Sequence, residues 1–323
     1  NFYFIKRHLT AIILGAIIFN ILKNLNINFI EKFSSISMVF ITTTLFLVLT
    51  YGIVVGGSRR WIDLGIVNFQ PSELAKPLII LWVAKQISND ITEDTDLKKF
   101  VRSIFLPLLC AFLVLLEPDY GTFASICFIL FSQIFFSKIK IIYPSLTIFA
   151  SILPLYFVAT SSEYRLSRIE TWLSRKCDLG IDLLGDCFQL NQSRIAISSG
   201  GLFGLGPGTS RARWGSLPNS YSDFISSIIG EEYGFFGLFL LVLAFFILIS
   251  TTFLIAIREK NEIKKLISVG FGSWIFFQTV INLGGAVGIV PITGIVLPFV
   301  SYGSSAMISI FIALGIMYSR DYE

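Results

Sequence analysis

Nine times along this chain the sequence turns almost wholly apolar for about the 20 residues a helix needs to cross hydrocarbon. The stretches run from Leu9 to Leu25, Ile36 to Val55, Ser72 to Ile87, Val101 to Leu116, Gly121 to Ser137, Ile141 to Thr160, Phe235 to Ile257, Leu266 to Leu283 and Ile292 to Tyr318. Composition agrees, with 54% of the 323 residues hydrophobic, 14% charged and a mean hydropathy of +0.77. Soluble domains stay near roughly 45–50% apolar usage. The expected fold class is therefore all-α: one polytopic membrane bundle over residues 1–323, with about nine transmembrane helices. Pro107 and Pro154 interrupt two of the stretches, which a bundle tolerates when neighbours satisfy the freed carbonyls.

Cytoplasmic loops of a membrane protein retain Lys and Arg. One set of loops here carries Lys23, Lys32, Lys85, Lys98, Lys99, Arg102, Lys138, Lys140, Arg258, Lys260, Lys264, Lys265 and Arg320, against Lys6, Arg7, Arg59 and Arg60 on the other. The C-terminus is accordingly expected inside the cell. Nine spans then put the N-terminus outside, and a further helix ahead of residue 1 is the expected remedy. On the outer face lies one long connection, residues 160–225, whose Gly-rich apolar segment IAISSGGLFGLGPG is expected to fold back onto the membrane surface. Loops beyond about 12–15 residues are usually functional or disordered.

The net charge of +4 is scattered rather than run together, which argues against nucleic acid as a partner. A single histidine, His8, argues against zinc chemistry and a Ser-His-Asp relay, both of which need imidazole. Cys110 and Cys127 lie in apolar runs as packing residues. Cys177 and Cys187 bracket CDLGIDLLGDC; spacing alone leaves a disulfide and two free thiols equally open.

Charged groups inside a span cost about 2.5–3.5 kcal/mol each. Glu73 and Lys76 in FQPSELAK share one helical face at i, i+3, where they neutralise each other, as an interfacial anchor or as the lining of an aqueous cavity. The uncharged tail GGAVGIVPITGIVLPFVSYGSS carries Pro291 and Pro298 among its glycines, so residues 284–303 read as a re-entrant or broken element, with an apolar hairpin as the alternative. Glu117 and Asp119 in LEPDYGT suit helix capping better than catalysis. Asp223, where the long loop enters a helix, reads equally as an N-cap or as a general base for a substrate hydroxyl.

The segments GGSRRWIDLGIVNFQPSELAK, LEPDYGT, FQLNQSRIAISSGGLFGLGPG, LPNSYSDFISSIIGEEYG and VPITGIVLPFVSYGSS, taken together and in order, resemble the SEDS family of bacterial cell-wall polymerases (shape, elongation, division and sporulation). They cover about residues 56 to 305. FQLNQS and IGEE are more similar to the division branch (FtsW-type) than to the elongation branch (RodA-type). The opening NFYFIKRHL resembles the stretch after the family's first helix, in keeping with a ten-helix pattern whose first member precedes this sequence.

The resemblance implies a peptidoglycan glycosyltransferase that polymerises lipid II into glycan strands at the outer face of the bacterial cytoplasmic membrane, at the division septum. It implies a single-span class B penicillin-binding transpeptidase as partner, alongside other division or elongation membrane proteins. The family's essential aspartate falls on Asp223 and its intramembrane acid–base pair on Glu73 and Lys76. Two departures stand out. Tyr221 and Ser222 replace the usual His-Thr before that aspartate, and Ser304 breaks the usual Tyr-Gly-Gly-Ser-Ser.

A pyrophosphate leaving group gathers negative charge as the glycosidic bond breaks, so cations belong around it. Arg59, Arg60, Arg165, Arg168, Arg194 and Arg211 are the outer-facing candidates, with Ser301, Tyr302 and Gly303 of the last motif beside the substrate. No cofactor is expected; a divalent cation, Mg or Mn, would suit the pyrophosphate, but no ligand cluster in the sequence calls for one. Two other classes stay in view. A lipid II transporter (flippase) suits the intramembrane pair and the broken element, and a non-catalytic scaffold of the division machinery is the third.

Overall fold

The computed structural model describes residues 3–55, 58–63, 68–90, 97–137, 139–160, 170, 172–174, 176–178, 185 and 187–321. Among them are eleven α-helices: α1 (Tyr3–Asn24), α2 (Ile27–Lys32), α3 (Ser34–Tyr51), α4 (Pro71–Asp90), α5 (Leu97–Leu116), α6 (Tyr120–Phe135), α7 (Ile142–Thr160), α8 (Phe188–Ser199), α9 (Ile225–Arg258), α10 (Glu262–Val287) and α11 (Ser304–Met317). Each of the nine apolar stretches overlaps a helix. Five helices are long and apolar enough to span a bilayer outright: α1, α3, α5, α9 and α10. Shorter apolar helices are α6, α11 and the Ile142–Pro154 part of α7. The last stretch is helical only from Ser304, because residues 288–303 run without helix.

Between α3 and α4 lies a feature the sequence reading did not foresee, an antiparallel meander of β1 (Ile53–Val55), β2 (Ser58–Asp63) and β3 (Asn68–Phe69). Its register pairs Ile53 with Trp61 and Ile62 with Phe69. Strands this short, with charges in the middle one, offer no periodicity to read.

The chain packs as two compact units: residues 1–155, 250–275 and 303–323 form the first, 156–249 and 276–302 the second. In the first, Met38, Ile41, Leu45 and Val48 bury one face of α3 at helical spacing. α4 opens on Pro71, whose missing N–H costs nothing at a first helical position. Its Ile79, Val83 and Ile87 are buried. Gly315 of α11 lets α1 approach closely: a Cβ there would sit 2.8 Å from that of Leu22.

Apolar packing alone gives weak selectivity between helices in lipid, and polar side chains supply the rest. Gln133 of α6 is fully buried, and its Nε2 donates to the carbonyls of Ile80 in α4 and Leu266 in α10, both at 3.0 Å. Three helices thus meet on one amide.

The second unit has its core at Ala196, Ala212, Leu217, Phe224, Ile228 and Ala286, with Ile292 packed against it. Cys177 and Cys187 are joined by a disulfide, so tertiary placement settles the pairing that spacing left open. Ser193 of α8 donates to the carbonyl of Ala286 and pairs with Ser227 of α9, which ties three helices around that core.

Gln133→Leu keeps the volume and removes both interhelical hydrogen bonds. A loss of about 0.5–1.5 kcal/mol is expected, seen as a fall of a few degrees in thermal unfolding of the detergent-solubilised protein, with helix content by circular dichroism unchanged before melting.

Candidate functional site

Asp223 enters the structure through a turn built on Asn219, whose φ of +54° places it in the left-handed region that asparagine tolerates. The Asn219 carbonyl accepts from the N–H groups of Ser222, Asp223 and Phe224. Phe224 then buries its ring in the core of the second unit, which leaves the adjacent Asp223 half-buried at its margin.

The irregular segment 288–302 is stapled to this turn. Asn282 of α10 donates one amide proton to the Asp223 carbonyl at 2.9 Å and the other to the Ile295 carbonyl at 2.7 Å. Ser301 donates from its hydroxyl to the Ser222 carbonyl and accepts from the Leu297 N–H at 2.8 Å. The Tyr302 N–H donates to the Tyr221 carbonyl at 3.0 Å, and the two tyrosine rings meet edge to face at 6.1 Å. Gly294 has a φ of +74°, and a Cβ there would lie 3.6 Å from Asp223 Oδ2. Folding therefore brings together Asp223, Ser301 and Tyr302 from distant motifs; Gly303, next in the chain, is the residue that precedes α11. Asn282 was missed by sequence reasoning. Its signal was present as an amide buried in an apolar helix.

The arginines divide. Arg165 and Arg168 lie outside the described residues. Arg194 is committed in the second unit, with Nη1 2.6 Å from Asp178 Oδ1 and Nε 3.0 Å from the Val287 carbonyl. Arg211 points an exposed side chain outward while its N–H donates to Glu231. That carboxylate is buried and also accepts from the Ser210 hydroxyl at 2.6 Å and the Ala212 N–H at 3.2 Å. In the first unit, Arg59 donates to the carbonyls of Leu49 and Thr50 at the end of α3. Arg60 donates to the carbonyls of Glu117 and Pro118 and lies 3.9 Å from Asp119. Much of the donor capacity of Arg59, Arg60 and Arg194 thus secures the chain itself.

Asp119 caps α6 by accepting from the Thr122 N–H, and takes a second hydrogen bond from Gln70. Glu117, two residues before it, is almost wholly buried, and neither of its carboxyl oxygens has a hydrogen-bond partner. Burial first, then the charge of Asp119, pushes its carboxyl up to about 9 against the smaller opposing effect of Arg60. It is a neutral acid at pH 7.

Glu73 and Lys76 share the first unit. Lys76 is fully buried, its Nζ 2.8 Å from both carboxylate oxygens of Glu73 and 4.7 Å from the centre of the Trp274 ring. The pair lies inside protein, and the indole adds a cation–π contact. Among the described residues no group of three or more His, Cys, Asp and Glu side chains converges in a form able to hold a metal ion.

The family model for cell cycle proteins of the FtsW, RodA and SpoVE type matches residues 1–323. Curated relatives include a probable peptidoglycan glycosyltransferase FtsW of Wigglesworthia glossinidia brevipalpis, 32% identical over all of this chain and 84% of its own length. A protein of the same description from Buchnera aphidicola subsp. Acyrthosiphon pisum is 34% identical over 99% of this chain and 80% of its own length. Among solved structures, a chain from a peptidoglycan synthase complex studied for coordination of polymerization and crosslinking superposes with a TM-score of 0.78. It is 26% identical and covers 98% of this chain and 88% of itself. The rod shape determining protein RodA of Thermus thermophilus gives 0.72 at 25% identity, over 98% and 87%.

Two outcomes check this geometry. Removing one partner of a buried ion pair strands the other, so Glu73→Ala should cost about 3–5 kcal/mol, while Glu73→Leu with Lys76→Met should recover most of that loss, read by thermal unfolding. For Glu117 the folded pKa is raised from 4.5 to about 9, so the stability it contributes is full below the lower value and is lost as pH climbs toward the upper one. Glu117→Gln should remove that slope: its melting temperature should match the parent near pH 4 and exceed it by several degrees at pH 8.

Proposed function

This chain belongs to the FtsW, RodA and SpoVE family of cell cycle proteins, and from that premise we propose how its residues act. It is an integral membrane peptidoglycan glycosyltransferase of the division type. Its donor is lipid II, and the transfer takes place at the outer face of the cytoplasmic membrane, with the C-terminus inside, at the septum. The observation that carries the mechanism is the half-buried carboxylate of Asp223, held by a backbone turn and closed in by the irregular segment 288–302.

Asp223 is the general base. It accepts the proton of the acceptor sugar hydroxyl as that oxygen attacks the anomeric carbon of the donor, and the pyrophosphate leaves from the opposite side. The step inverts the anomeric centre. A positioned carboxylate supplies typically 10²–10⁴-fold in such a role. Asn282 and Ser301 spend their hydrogen bonds on the backbone of Ser222, Asp223 and Ile295, which supports a positioning role: they hold the base still while the reactants change charge. Tyr302 flanks the turn. The exposed Arg211, in the same unit as Asp223, supplies positive charge for the departing pyrophosphate.

The neighbour in a synthase complex that couples polymerization to crosslinking supports a transpeptidase as partner. We assign that place to a single-span class B penicillin-binding protein, with other division proteins around the pair.

Asp223→Ala and Asp223→Asn, purified with the partner in nanodiscs and given labelled lipid II, should lose polymerisation by at least about 10²-fold while melting within a few degrees of the parent. Unchanged glycan-strand formation by a folded variant removes Asp223 from the chemistry.

A further inference from the structure

The Gly-rich loop after α8 is bound to the membrane helix beside it, main chain to main chain. The N–H groups of Phe235 and Phe236 donate to the carbonyls of Gly201 at 2.9 Å and Leu202 at 3.2 Å. Those of Leu205 and Gly206 donate to Glu231 and Glu232, both at 3.0 Å. α9 offers these groups because it is broken at Gly234, where φ is +65°. The two backbones are too close for side chains: a Cβ on Gly204 would stand 2.1 Å from the Glu232 carbonyl oxygen, and one on Gly200 1.9 Å from that of Gly230. A loop held in this way cannot swing independently of α9.

Its tip is apolar and bare. Leu202 is 61% and Phe203 78% exposed, and the Phe203 ring stacks on Phe236 with centroids 5.3 Å apart. Phe236 opens the part of α9 that follows the break, and exposed Phe239, Leu240 and Phe246 continue along it. On a membrane-spanning helix, bare side chains of this kind have hydrocarbon as their stable surroundings. Phe203 therefore sits at the depth of the first turn of a span, continuous with a lipid-facing surface. Further along the same loop, Trp214 is 77% exposed with the Arg213 guanidinium 5.1 Å from its ring, a pairing suited to the headgroup level, where aromatic and basic residues concentrate.

We propose that this loop is a leaflet anchor, with the Leu202–Phe203 tip immersed in the acyl chains next to the first membrane turn of α9 and bilayer lipid as its occupant. The anchor sets the depth of the stretch that follows. Glu231, just before the break in α9, clamps Ser210 to Ala212, and Ala212 packs in the core with Phe224, next to Asp223. The leaflet thereby fixes the height of the catalytic turn, whichever residue of that turn performs the chemistry.

The test uses the full chain in nanodiscs. Leu202→Cys and Phe203→Cys are labelled separately with bimane; Phe239→Cys serves as the in-membrane reference and the exposed Ser216→Cys as the aqueous one. The native free thiols, Cys110 and Cys127, are buried. Lipids bearing a nitroxide near the top of the acyl chain should quench labels at 202 and 203 by about twofold or more, close to the value at 239. Aqueous iodide should quench the label at 216 several times more strongly than either. Iodide quenching at 202 and 203 equal to that at 216 overturns the proposal, as does protection from both quenchers, which would mean that protein covers the tip. Two tip positions keep the result decisive should one variant melt early.

Discussion

Asn282 makes two hydrogen bonds on which the site depends. Residues 288–302 leave the helical path, and irregular backbone is tolerated at membrane depth only when protein or water satisfies its polar groups. One amide, projecting from α10, meets that demand on both sides at once, holding the Ile295 carbonyl of the irregular segment and the Asp223 carbonyl of the turn. Ser301 repeats the arrangement a few residues on, between Leu297 and Ser222. The cross-links that make the broken segment tolerable are the same ones that hold Asp223 in place. Stability and placement of the Asp223 turn are therefore one problem with one solution.

Three buried carboxylates show three ways of meeting the cost of removing charge from water. Glu73 is neutralised by an ammonium group one helical turn away, under an indole ring. Glu231 stays among fixed dipoles, two backbone N–H groups and a hydroxyl, and uses them to clamp the loop that carries Arg211. Glu117 has neither, and keeps its proton instead. That neutral acid sits two residues from Asp119, which does work as a capping carboxylate because the Thr122 N–H and Gln70 receive it.

The arginines illustrate where sequence reasoning reaches its end. An outward-facing arginine near a phosphate substrate is a reasonable ligand, yet five N–H donors on one side chain equally suit loose carbonyl groups. Arg59 closes the end of α3, Arg60 holds the corner between α5 and α6, and Arg194 joins Asp178 to the end of α10. No spacing rule separates a latch from a ligand, because the carbonyls involved lie up to 93 positions away in the chain.

Hydropathy alone was enough to mark out a polytopic helical membrane protein, because the bilayer imposes one length and one polarity on whatever crosses it. Ordered motifs were enough to suggest the family, and the uncharged, Gly- and Pro-bearing tail pointed to a break with a hairpin as the alternative; the structure leaves residues 288–303 without helix. The short meander of residues 53–69, the joining of Cys177 to Cys187, and the role of Asn282 belonged to the tertiary structure. Each of these depends on which groups meet across the fold, and a polar atom in a membrane protein takes its meaning from the partner it finds rather than from its neighbours in the chain.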